Sequence, residues 1–108
     1  MNTTTRSICF CGYEFDGPYT SANSLKDQAG IYVVCDLRAD RKWYVLDVGE
    51  SETVRTRVEN HDRSGCWRAH QRGTLGYAVL YTRDWSAHQR RILEGRIREQ
   101  FSPPCGER

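Results

Sequence analysis

The chain has little that is long, greasy or stiff. Its longest uninterrupted apolar runs, Ile31–Cys35 and Tyr77–Tyr81, are five residues each. That is far short of the roughly 20 residues a transmembrane helix needs, so no membrane span is expected. No apolar stretch of signal-peptide length follows the Thr-rich start at Met1–Arg6. A cytoplasmic location is the expectation, with residues 1–5 a frayed tail. Three prolines and a mean hydropathy of −0.74 exclude a Pro-rich repeat and a strongly apolar core protein. Three Trp, six Tyr and three Phe nevertheless argue against disorder. At 108 residues the chain fits one small domain.

Lysine is nearly absent, with only Lys26 and Lys42. Residues 52–98 hold ten cations against five acids, and all ten are arginine. Residues 1–51, by contrast, hold five cations against seven acids. Arginine presents a fixed fork of donors that matches phosphate oxygens. Interleaved with Trp67, Tyr77 and Trp85, these arginines suit a nucleic-acid surface. Arg63, Arg68, Arg72, Arg90 and Arg91 are the expected phosphate contacts.

Five cysteines, at 9, 11, 35, 66 and 105, form no disulfide framework by spacing, and reduced thiols are expected. Cys9-x-Cys11 and the isolated Cys66 and Cys105 could join His61 or His70 around zinc. The Cys9-x-Cys11 pair lacks zinc-knuckle spacing, so small buried fillers are the preferred reading.

Ile8–Phe15 reads as a short strand closed by the turn Asp16-Gly17-Pro18, and residues 19–29 as a loop with one helical turn near Ser24–Gln28. Gly30–Leu37 is rich in β-branched residues and reads as a strand covered on both faces. A hydrophilic turn at 38–42 leads to a second strand, Trp43–Val48. Ser51 is the expected N-cap of a helix that runs to about His61, with Val54 and Val58 inward. A short helix and loop fill 62–73, and Leu75–Thr82 is a third strand. Ser86 and Gln89 have capping-box spacing before the stripe Leu93, Ile97, Phe101, and Pro103-Pro104 forbids continuation. The expected fold is a small α/β (α+β) domain. Its three-stranded, mainly antiparallel sheet is flanked by helices. Residues 30–106 form this unit, and residues 1–29 an extension that adds an edge strand.

Gly30-Ile31-Tyr32 on the first strand of this hairpin and Asp47-Val48-Gly49 on the second resemble the paired motifs of the GIY-YIG nuclease domain. The family's arginine, eight residues after the second glycine, falls on Arg57. Its histidine one turn later falls on His61, and its glutamate on the last long helix falls on Glu94. The resemblance spans about residues 30–106 and implies a divalent-metal-dependent phosphodiesterase. Glu94 would be the ligand of Mg²⁺ or Mn²⁺, Arg57 the cation for the phosphate, and Tyr32 the base, with His61 beside it. The pattern breaks at two places: Asp47 replaces the motif's second tyrosine and Gly106 stands where the family often carries an asparagine. Asp47 is still counted with the catalytic residues, where it could orient a water, help a metal or act as base; the alternative is a negative charge that repels the phosphate. Tyr44, three residues from Asp47 along the strand, is expected on the opposite face. The resemblance implies cleavage of nucleic acid, DNA first, with a homodimer or protein partner supplying target choice. The alternative is a weak or inactive module of the same fold that binds nucleic acid or docks a protein.

Overall fold

The run Gly30–Leu37 organises the domain as its central strand, β3. In the computed structural model, which describes residues 6–106, all of it but Leu37 is buried. Five antiparallel strands form one sheet: β1 (Ser7–Phe10), β2 (Tyr13–Tyr19), β3, β4 (Trp43–Ser51) and β5 (Thr74–Tyr81), in the spatial order β1-β2-β5-β3-β4. Helices α1 (Val54–Glu59) and α2 (Ser64–His70) lie between β4 and β5, and α3 (Ala87–Phe101) follows β5. The architecture is a small α+β domain. No helix among the described residues is long and apolar enough to cross a membrane. The expected frayed tail at residues 1–5 lies outside the described residues.

Strand alternation divides the core in two. Ile31, Val33 and Cys35 face one side, where Leu93 and Ile97 of α3 cover them together with Phe10 and Phe15. Tyr32 and Val34 face the other, against Val54 and Val58 of α1, Trp67 of α2, Leu25 and Cys105. Leu93 and Ile97 of the expected stripe on α3 pack inward, while its third member, Phe101, is exposed and meets Phe10 edge-on. The capping box of α3 is formed, with Ser86 Oγ accepting from the Gln89 amide and the Gln89 side chain accepting from the Ser86 amide.

Residues 1–29 contribute more than an edge strand. The expected strand Ile8–Phe15 is folded on itself into a hairpin, because Cys11 and Gly12 both adopt positive φ, at 50° and 86°. Two such residues make the tight turn that matches the twist of paired strands. β2 then runs through Asp16-Gly17-Pro18, the expected turn, and pairs with β5.

Helix α1 is shorter than expected. β4 extends to Ser51, whose Oγ accepts from the Thr53 amide, and Thr53 becomes the N-cap. The helix ends at Glu59, so His61 lies beyond its C-cap Asn60 and not on the face of Arg57.

A bulge in β4 changes the reading of its faces. Val34 pairs with Asp47 but Cys35 pairs with Val45, leaving Leu46 as the extra residue. The carbonyl of Leu46 accepts from the Cys105 amide instead. The inserted residue resets the alternation, so Tyr44, opposite Asp36, shares the face of Asp47, contrary to simple period-2 counting. Tyr44 nevertheless bonds Asp40 and stacks on Arg38, away from the motif residues.

Phe15 is fully buried and meets Phe10 edge-on at 5.2 Å. Phe15→Ala should lower unfolding stability by about 3–5 kcal/mol in urea titration. A change below about 1 kcal/mol would show that the hairpin is an appendage rather than part of the core.

Candidate active site

Pairing of β3 and β4 sets the first contact. Tyr32 stands opposite Gly49, and its phenol lies where a Cβ at 49 would project. Only glycine leaves room for the ring, which is a physical reason for Gly49 in the motif. The Tyr32 hydroxyl lies 2.7 Å from Nε2 of His61. The other nitrogen of that ring, Nδ1, accepts the backbone N–H of Arg63 at 3.0 Å. An amide N–H only donates, so the proton of the neutral ring sits on Nε2 and is donated to the Tyr32 oxygen. The phenol keeps its own proton for another partner.

Both groups are held neutral. Burial pushes the Tyr32 phenol up to about 12, with Arg57 opposing the rise and Asp47 adding to it. Burial brings His61 down to about 4, helped by the positive charges of Arg57 and Arg63. Arg57 thus sits close enough to act on both. Its guanidinium bonds Asp62 at 3.0 Å, but Asp62 is 74% exposed. Exposed ion pairs of this kind are weak, so a phosphate can displace the carboxylate.

Asp47 is fully buried, and its two oxygens accept from five N–H groups. Arg63 donates from Nε at 2.8 Å and from Nη2 at 3.2 Å, Trp67 from its indole at 2.8 Å, Arg98 from Nη2 at 2.8 Å, and the Val48 amide at 2.8 Å. Two arginines offset its charge, so Asp47 is not an uncompensated negative charge facing phosphate. Its lone pairs are committed to protein donors.

Glu94 presents the opposite case. Its nearest cation is Arg98 Nε at 3.6 Å, beyond hydrogen-bond reach, and no hydrogen bond to its carboxylate occurs among the described residues. Burial raises its carboxyl above the usual value; Arg98 opposes the rise and Glu50 adds to it. Glu94 opens on a cleft of about 500 Å³ lined also by Asp62, Arg63, Arg98 and Gly106. Glu94, ion-paired with Arg98 at its side and open to this cleft, is the carboxylate here that could hold Mg²⁺ or Mn²⁺, ions that take few carboxylates and keep several waters. Arg63 connects the two halves, since it lines this cleft and touches Asp47, and its amide holds His61.

Two residues of the site were not legible as such. Arg98 reads in sequence as a helix-surface partner of Glu94 at i, i+4. In the fold it bonds Asp47, the Val48 carbonyl and the Cys105 carbonyl. Its guanidinium fills the space a Cβ at Gly106 would enter, so a side chain at 106 competes with Arg98. Trp67, read from sequence as an aromatic of a nucleic-acid surface, is instead buried in the core, and its indole N–H donates to Asp47.

The expected phosphate contacts divide. Arg68, Arg72 and Arg91 are exposed, and Arg63 is half-buried. Arg90 is a correction: it is 4% exposed and bonds Glu50 at 2.8 Å, so its guanidinium is used inside the fold. The cysteines need a second correction. Cys66 and Cys105 are joined in a disulfide, with Cα atoms 5.9 Å apart, and only Cys9, Cys11 and Cys35 are free. Spacing could not show this, because 39 residues separate the pair and the sheet brings them together. Cys11 lies in the hairpin turn rather than on a strand with Cys9.

No family model, curated protein or solved structure matches the chain.

His61 carries a stability signature. Its folded value lies below the ordinary 6.5. The neutral ring therefore contributes fully above pH ~6.5, and the contribution is lost as pH falls toward 4, on the order of 3 kcal/mol in all. His61→Gln should flatten this part of the urea-midpoint profile between pH 7 and 4. A parallel profile in the variant would mean that the ring is not held neutral by the fold.

Proposed function

We propose that the chain is a metal-dependent endonuclease that hydrolyses phosphodiester bonds in nucleic acid, DNA first, through a GIY-YIG-type site. One observation carries the reading. Arg63 joins two groups: its amide holds His61, which donates to buried Tyr32, and its guanidinium lines the cleft on which Glu94 opens with Asp62, the exposed partner of Arg57.

The residues divide the work by chemistry. Tyr32 is the proposed base. The phenol proton would pass to solvent water, since His61 offers Tyr32 only its Nε2–H, and would leave a phenolate against that standing donor and near the charge of Arg57. The phenolate takes a proton from water as the water oxygen bonds phosphorus and the ester P–O bond breaks. The leaving oxygen takes its proton from solvent. Arg57, released from Asp62, meets the charge that develops on the phosphate oxygens. Glu94 would hold Mg²⁺ or Mn²⁺, which supplies positive charge for the phosphate and lowers the proton affinity of oxygens beside it. Asp47 acts on position, holding Arg63 and Arg98 in place. Arg68, Arg72 and Arg91 supply backbone contacts. A single small domain makes few backbone contacts, so a homodimer or a partner protein is part of the proposal. So is a cytoplasmic location.

The test is cleavage of a mixed panel of DNA substrates with Mg²⁺ or Mn²⁺. Glu94→Gln should abolish metal-dependent cleavage and leave DNA retention largely intact. Arg57→Lys keeps the charge but loses the fork, and turnover should fall on the order of a hundredfold with a much smaller change in affinity. Unchanged cleavage by Glu94→Gln, in protein free of contaminating nuclease, overturns the assignment. Salt-dependent retention without cleavage by the parent would favour the binding-module alternative.

A further inference from the structure

We propose that the Cys66–Cys105 pair, once reduced, forms a zinc site with His70. The ligand atoms of Cys66, His70 and Cys105 lie within 4.8 Å of one another. Cys66 and His70 are i, i+4 on α2 and share a helical face, while Cys105 comes from the segment after α3. Tetrahedral zinc with bonds of about 2.3 Å to sulfur and 2.0 Å to nitrogen needs ligands about 3.5–3.8 Å apart. No two of the three atoms are farther apart than 4.8 Å, so the histidine need close by little more than an ångström, while the two sulfurs, bonded in the disulfide, must move apart on reduction.

The surroundings hold the metal on three sides and leave a fourth position open to water. Cys105 is buried and its backbone is fixed at both ends: its amide donates to the Leu46 carbonyl and its carbonyl accepts from Arg98. Cys66 is half-buried and His70 exposed, so an ion can enter from the solvent side and a water can complete the fourth position. Two thiolates and an imidazole form a soft set that favours zinc over Mg²⁺ or Mn²⁺. This centre is separate in chemistry from Glu94 and does not depend on the nuclease reading. His61, the other histidine weighed for zinc, is taken up by Tyr32 and the Arg63 amide.

The two uses of the thiols exclude each other. A dithiol reductant transfers two electrons and two protons to the Cys66–Cys105 bond, becomes a disulfide itself and leaves two thiols. Zinc then displaces both thiol protons to water and takes the lone pair of neutral His70. Either bond staples the segment that positions Arg98. The chain would thus keep its site in an oxidising medium through the disulfide and in a reducing one through zinc.

The chain is tested in both redox forms, with zinc binding read by competition with a chromophoric chelator. Cobalt substitution reports thiolate ligation through its charge-transfer absorption. The reduced chain should bind one zinc ion and the disulfide form none. His70→Ala, at an exposed position that should fold normally, and Cys66→Ser should each weaken binding at least about tenfold to a hundredfold, the loss typical even of outer-shell partners. The double variant Cys9→Ser/Cys11→Ser should bind as the parent does. The proposal is overturned if the reduced chain binds no zinc, if the disulfide form binds equally, or if His70→Ala and Cys66→Ser bind like the parent.

Discussion

The carboxylate of Asp47 is the constraint on which the site depends. A buried charge is costly unless it is paired and fully hydrogen-bonded, and Asp47 is both. Its five donors come from β4, from the residue before α2, from α2 itself and from α3. It fixes how the two helices sit against the strand. Without its charge, Arg63 and Arg98 would be two like charges, partly desolvated, around one space.

The consequences spread from those two arginines. Arg63 turns its amide to His61 Nδ1, which settles the tautomer and aims Nε2–H at Tyr32. Arg98 stands beside Glu94 and binds the Cys105 carbonyl, so the chain after α3 returns across the sheet to meet Leu46. Gly106 leaves room for the Arg98 guanidinium. The two departures from the GIY-YIG pattern, Asp47 and Gly106, therefore meet at one side chain. Their pairing through Arg98 is a physical relation between two positions 59 residues apart in number.

Much of the fold was legible because local signals agreed. Gly30–Leu37 has the β-branched run of a doubly covered strand, and Ser86 with Gln89 marks the start of α3. The hairpin within residues 7–19 was missed because Cys11 is an unusual residue at positive φ, while Gly17-Pro18 mimics a turn inside a strand. The bulge at Leu46 leaves no local mark, and with it went the face of Tyr44. At the site, Tyr32 and His61 were named only through the resemblance to a family, and their mutual orientation depends on Arg63. Arg98 and Arg90 look alike in sequence as cations on a helix. Only the neighbouring strand, with Asp47 and Glu50, makes both structural. Long-range pairings of this kind, the Cys66–Cys105 bond included, are set by topology and not by any window of sequence.

The central claim is that Asp47 and Arg98 act as a unit. A double-mutant cycle of Asp47→Asn and Arg98→Met, read by urea unfolding at pH 7, measures it directly. The account predicts that the single changes are far from additive, with a coupling of at least about 2 kcal/mol, because each leaves the other's charge buried with less compensation. Additivity within about 0.5 kcal/mol would contradict it and would leave the site's arrangement without its proposed anchor.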